Sequence, residues 1–214
     1  MDQGRLFVLS GPSGAGKGTI CDKLIEDGKA QLSISMTTRA IRGKEIPNVS
    51  YYFVSDEEFD KTIEDGGFLE YAGVYGHRYG TPKQPVLDAM SKGKDVILEI
   101  EMQGAQKVKQ NYPDAVLIFV LPPSLEILRK RLAGRHSDSP EQIKARTAAV
   151  LSQIHKISEY DYYVINDELE PAVEVVRSIM DAEHGNTQAK KSVKANKVNK
   201  TALKMIEKYD QEAK

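Results

Sequence analysis

The stretch Leu6-Phe7-Val8-Leu9-Ser10-Gly11-Pro12-Ser13-Gly14-Ala15-Gly16-Lys17-Gly18-Thr19 decides how the rest of the chain is read. Its first four residues make an apolar run too short for a helix and rich enough for a buried strand. From Thr19 to Asp27, Ile20, Leu24 and Ile25 return at helical spacing. A glycine-rich turn that ends in lysine, between a strand and a helix, is the context of a phosphate-binding loop. Its amides turn inward onto phosphate oxygens, helped by the helix N-terminus, and Lys17 reaches the β- and γ-phosphates. Gly11, Pro12, Ser13, Gly14, Ala15, Gly16, Lys17, Gly18 and Thr19 are thus candidate contacts to ATP. Gly18 stands where the pattern has the Ser or Thr that ligates Mg²⁺, and Thr19 comes one place later. The metal is therefore expected to rely on water, phosphate oxygens and a carboxylate. Glu99, at the end of an apolar strand, is the candidate, directly or through water.

Outward from the loop the pattern alternates. Leu32, Ile34 and Met36 alternate with serines as a second strand, and residues 96–100, 116–120 and 163–165 read as further strands. Between and after them, 85–90, 103–110, 124–133 and 169–182 read as helices, with another start at Ser139-Pro140-Gln142. Strands separated by helices imply βαβ units. The expected fold class is α/β: a P-loop NTPase-type parallel sheet core flanked by helices. Residues 39–82 depart from this alternation, with glycines, aromatics, a capping box at Ser55 and Glu58, and a hairpin over 68–79. They predict a small inserted α+β unit.

Composition bounds the function. The 214 residues are 40% hydrophobic and 29% charged, as in a soluble globular protein with a real core. One cysteine, Cys21, excludes an internal disulfide framework and a thiolate zinc cage, and it reads as a core filler. No apolar run approaches a membrane span, and the N-terminus lacks a signal peptide's regions, so a cytoplasmic protein is expected. The net charge of −1 argues against a uniform polyanion-binding surface, but it hides a split. Residues 185–214 hold eight lysines and three acids, whereas 1–184 hold 22 basic and 28 acidic side chains. That basic tail reads as a flexible, solvated extension with no assignable partner, although Val198, Ala202, Met205 and Tyr209 keep a loose helical spacing.

Further motifs name an acceptor. Ser35-Met36-Thr37-Thr38-Arg39-Ala40-Ile41-Arg42 is followed by Tyr51, Glu70 and Tyr79-Gly80-Thr81, then Glu99-Ile100-Glu101-Met102-Gln103-Gly104-Ala105 and Tyr162-Tyr163-Val164-Ile165-Asn166-Asp167. In this order they closely resemble the guanylate kinase family, from about Arg5 to Ala182. The resemblance implies a catalytic domain over 1–184, with core segments 1–34, 85–125 and 150–184, a GMP-binding insertion at 35–84 and a helical lid at 126–149. It implies ATP and GMP as substrates with Mg²⁺, and no membrane or nucleic acid in the core activity.

The residue chemistry agrees. Arg39 and Arg42, three apart, can both face one phosphate with bidentate guanidinium contacts, and Tyr51 and Tyr79 can add neutral donors. In the family these four positions hold the GMP phosphate. A carboxylate at Glu70 can accept from both guanine donors while the Ser35 and Thr81 hydroxyls donate to O6, a set that leaves groups unpaired against adenine. The resemblance assigns these three to guanine and adds Glu101. The family's common acids on the 99–101 strand are aspartates, one methylene shorter than Glu99 and Glu101. Arg131, Arg135 and Arg146 bracket the loop His136-Ser137-Asp138-Ser139 and resemble the lid arginines, with His136-Ser137 where Gly-Thr is usual. With Lys17 and Arg39 they form the expected catalytic set, and Asn166 resembles the position beside the adenine ring. Two alternatives stand beside this reading: a non-catalytic guanylate-kinase-like phosphopeptide-binding module, and a kinase for another monophosphate.

Overall fold

The computed structural model describes residues 3–26, 28, 30–74, 76–133, 150–198 and 200–212. In chain order it contains β1 (Leu6–Ser10), α1 (Lys17–Ile25), β2 (Ala30–Leu32), β3 (Met36–Thr37), β4 (Tyr52–Phe53), α2 (Asp56–Glu64), β5 (Phe68–Val74) and β6 (His77–Pro82). These are followed by α3 (Lys83–Ser91), β7 (Asp95–Glu99), α4 (Met102–Asn111), β8 (Val116–Leu121), α5 (Leu125–Ala133) and β9 (Tyr162–Ile165). Helices α6 (Leu169–Glu183), α7 (Thr187–Ser192) and α8 (Lys200–Glu212) come last. A five-stranded parallel sheet has the order β2-β7-β1-β8-β9, and a four-stranded sheet the order β4-β3-β6-β5. Every residue of β1 and β8 is buried, which is why both read as unbroken apolar runs in the sequence. By contacts the chain divides into two units, residues 1–7 with 28–115 and residues 8–27 with 116–214.

In the first unit, β2 pairs in parallel with β7 from Ala30–Asp95 to Leu32–Ile97. The alternation over Leu32, Ile34 and Met36 predicts one strand, and the structure makes two. Ser33 still donates to the Ile97 carbonyl (2.9 Å), but Met36 and Thr37 pair with Gly80 and Tyr79 in the smaller sheet. Alternation reports which face is apolar, and it does not choose a pairing partner. The smaller sheet is built on the β5–β6 hairpin. Helix α2 is capped as expected, with the Ser55 hydroxyl accepting from the Glu58 amide (3.1 Å). The Phe59 ring lies 4.6 Å from that of Phe68, centroid to centroid, inside the unit.

In the second unit, β8 and β9 pair in parallel from Ile118–Tyr162 to Leu121–Ile165. Ser124 caps α5 by accepting from the Ile127 amide (3.2 Å). The segment after residue 184, read from its composition as a flexible extension, carries helices that pack within this unit. The Asn186 side chain caps α7 through the Gln188 and Ala189 amides (3.0 Å each), Lys197 forms a β-bridge with Tyr162, and α8 follows. Ala189, Val193 and Tyr209 are buried. Composition averages over a segment, whereas docking needs only a few apolar side chains on one stripe. Arg135, Arg146 and the helix start at 139–142 lie outside the described residues. Among the described residues no helix is long and apolar enough to cross a membrane.

Candidate active site

The phosphate loop runs from β1 into α1 as the sequence predicts. Gly16 caps the helix at φ +86°, a left-handed conformation that disfavours any Cβ, and a Cβ there would sit 2.3 Å from Asn166 Nδ2. That close approach has a purpose, because Asn166 donates from Nδ2 to the Ala15 carbonyl (2.8 Å) and so ties the end of β9 to the loop. Lys17 is turned back over the loop, donating from Nζ to the Gly11 (2.8 Å) and Pro12 (3.2 Å) carbonyls. Its ammonium therefore already sits on the loop that is to receive phosphate.

Arg131, on α5, donates to the main-chain carbonyls of Asn166 (2.9 Å) and Asp167 (3.2 Å). With Gly14, Gly16 and Thr19 these three residues line a cavity of about 320 Å³. The structure thus brings together the loop, Arg131 and Asn166. Asp167, quoted in the family-like motif that ends at residue 167, was not assigned a site role from the sequence. Ser13 is exposed, Ala15 is buried and Gly18 is half-buried.

A second cavity, of about 560 Å³, belongs to the first unit. Ser35, Tyr51, Glu70, Tyr79, Glu99 and Glu101 all line it. Glu70, on β5, is buried, and its Oε1 accepts from the Thr81 hydroxyl (2.9 Å) on β6. Burial pushes the Glu70 carboxyl above the usual glutamate range, against the opposing pull of the Thr81 hydrogen bond and of Lys107. Gln103 and Gly104, at the start of α4, also line this cavity and were missed in the sequence. A Cβ on Gly104 would lie 2.9 Å from Glu70 Oε2, so the glycine makes room for the carboxylate.

Arg39 is buried beside these residues. Its Nε donates to the Tyr79 hydroxyl (3.1 Å), and its guanidinium carbon lies 5.4 Å from the Tyr51 ring centroid. Both terminal nitrogens hold Glu45, which also accepts from the Arg42 amide (2.8 Å). The Arg39 hydrogen bond holds the Glu45 carboxyl below its usual range, and Glu45 in turn keeps Arg39 protonated. The side chain of Arg42 is exposed. Glu45 is the functional residue the sequence reading missed, since an acid in a polar loop looks like ordinary solvated charge.

Glu99 is exposed at the end of β7 and faces the same cavity as Glu70. Among the described residues no three acidic, histidine or cysteine side chains cluster to cage a metal. Glu99, on the lining of this cavity, is a hard oxygen donor of the kind that fits a magnesium ion whose other ligands are phosphate oxygens and water.

A phosphate loop after the first strand of a parallel sheet flanked by helices defines a P-loop nucleotide-binding α/β protein. The guanylate kinase family model matches residues 3–183. Guanylate kinase of Clostridium acetobutylicum is 50% identical over 181 residues, covering 85% of this chain and 87% of the relative. That of Clostridioides difficile is 43% identical over 211 residues, covering 98% of each. The crystal structure of guanylate kinase from Anaplasma phagocytophilum superposes with a TM-score of 0.70 at 34% identity, covering 87% of this chain and 89% of that one. The chain belongs to the guanylate kinase family.

Proposed function

We propose that this chain transfers the γ-phosphoryl group of ATP to GMP, giving ADP and GDP, as a cytoplasmic enzyme. The observation that carries this reading is the buried Glu70, steadied by the Thr81 hydroxyl, on the wall of a cavity that Ser35, Tyr51 and Tyr79 also line. A carboxylate that accepts from guanine N1–H and its exocyclic amine, with the Ser35 hydroxyl for O6, selects guanine. Thr81, expected to donate to O6, donates its proton to Glu70 instead. The Arg39, Tyr51 and Tyr79 group, with Arg42 on the same loop, supplies donors for a phosphate monoester.

The donor nucleotide binds through the loop amides of residues 11–19. Lys17 exchanges its two carbonyl partners for phosphate oxygens, and Arg131 with Asn166 borders the adenine end. No covalent intermediate is required, because alignment of the GMP phosphate oxygen with the γ-phosphorus and neutralisation of charge suffice. Magnesium, for which Glu99 would be the carboxylate ligand directly or through water, would supply part of that neutralisation. Arg135 and Arg146, which lie outside the described residues, are the further cations that the family resemblance offers for charge neutralisation.

The test is ADP release with GMP, AMP, CMP, UMP and IMP at equal concentration. GMP is expected to be preferred, with IMP slower because it lacks the amine that Glu70 accepts from. Preference for another acceptor, or no turnover with any, contradicts the reading.

A further inference from the structure

The tail after residue 183 ends in a helix that touches the support of the ATP cavity. Glu212, on the last turn of α8, accepts from the Leu125 amide through Oε2 (2.8 Å), at the first residue of α5. Leu125 N–H is one of the amides that a helix leaves unpaired at its start, and a carboxylate there also meets the positive end of the helix dipole. Ser124 satisfies the Ile127 amide, so Glu212 completes the cap from outside. One turn earlier on α8, Tyr209 is 1% exposed, and its hydroxyl donates to the Pro122 carbonyl. Lys208 donates to the Pro123 carbonyl (3.3 Å). Three consecutive residues ahead of Leu125 and the helix start itself are therefore engaged by the tail or by the helix's own cap.

Helix α5 is also a wall of the nucleotide site. Arg131 projects from it onto the Asn166 and Asp167 carbonyls, and Asn166 holds Ala15 of the phosphate loop. Leu128 and Leu132 of the same helix lie against the loop, since a Cβ on Gly14 would come within 2.9 Å of Leu128 Cδ1 and 3.2 Å of Leu132 Cδ2. A packed interior passes small displacements on with little slack. A shift or fraying of the α5 N-terminus therefore reaches both Arg131 and the loop.

We propose that Tyr209 and Glu212 are positioning residues for ATP binding, acting through the N-terminus of α5 on Arg131 and the phosphate loop. The inference rests on the assignment of the loop as the ATP site. It gives the basic tail a role within this chain that composition alone did not suggest.

The experiment is calorimetric titration of ATP into the full-length protein and its Glu212→Ala, Glu212→Gln and Tyr209→Phe variants, with the same titration for GMP. Loss of the cap is expected to weaken ATP binding about three- to ten-fold in Glu212→Ala. Glu212→Gln, which keeps an acceptor oxygen, falls between it and wild type. Tyr209→Phe keeps the buried ring and loses only the hydroxyl, so it tests the second anchor in a folded protein. GMP affinity stays within error in all three. Unchanged ATP affinity in folded Glu212→Ala and Tyr209→Phe overturns the proposal, as does an equal loss for ATP and GMP. A wild type that binds ATP but does not phosphorylate GMP would sink the functional reading, while the ATP titrations would still decide the role of the tail.

Discussion

Arg39 and Glu45 form a two-pronged ion pair, with Nη2 to Oε1 at 2.6 Å and Nη1 to Oε2 at 3.0 Å. A carboxylate and a phosphate meet a guanidinium in the same forked geometry. On the proposed function, Glu45 presents to Arg39 the interaction that the acceptor phosphate would make, and the Tyr79 and Ala40 oxygens hold the remaining donors in place. The arginine is already oriented, which on that reading lowers the ordering cost of binding GMP.

The first expectation concerns that fork. Arg39→Lys keeps the charge and loses the planar pair of donors, so it does not substitute. Loss of a preorganised donor at a reacting phosphate costs about 10²–10³-fold in turnover. Steady-state kinetics of Arg39→Lys with GMP should show a fall of this order, and near-normal kcat/KM would remove Arg39 from the site.

Glu70 gives a pH signature. Its carboxyl is raised by burial, so over the window from the usual glutamate range up to its own raised value the folded state holds a proton that the unfolded chain has released. Stability from protonated Glu70 is complete below the usual range and is lost as pH rises through the raised value. Glu70→Gln carries no such loss, so its melting temperature should gain on wild type as pH rises from acid to neutral. The same substitution should weaken GMP binding by about 1.5–3 kcal/mol, the value of hydrogen bonds to a charged group. Parallel melting curves across pH would contradict the buried charge.

Gly104 supplies a steric test. A methyl group there would stand 2.9 Å from Glu70 Oε2, closer than van der Waals contact allows. Gly104→Ala should raise the KM for GMP and leave the KM for ATP unchanged. An unaltered GMP KM would place Glu70 away from the guanine.

Lys17 is held by two loop carbonyls, and its ammonium is to transfer to phosphate oxygens. Lys17→Ala should fold, as circular dichroism would show, yet lose about 10²–10³-fold in kcat. Normal turnover in the folded variant would contradict phosphate binding at this loop.

Much of this was legible in residue order. The apolar run at 6–9, the glycines after it and the helix spacing from 19 onward specify strand, loop and helix without reference to the rest of the chain. Ser35, Tyr51, Glu70 and Tyr79 were readable as a set through their resemblance to the guanylate kinase pattern, and they line one cavity. Glu45 was not readable, because nothing local distinguishes an acid that folds back onto an arginine six residues earlier from one in water. The split of the 32–36 strand between two sheets was hidden because alternation survives a change of partner. The packing of the tail was hidden because its charge dominates its average, while its docking depends on Tyr209 and a few small apolar residues.

The central claim is that one chain carries phosphoryl from ATP to GMP. Incubation with ATP labelled at the γ-phosphorus and unlabelled GMP, followed by separation of the nucleotides, tests it directly. The account predicts that the label leaves ATP and appears in the β-phosphate of GDP, in amounts equal to the ADP formed. Label appearing in inorganic phosphate with no labelled GDP, or remaining wholly in ATP, would contradict it.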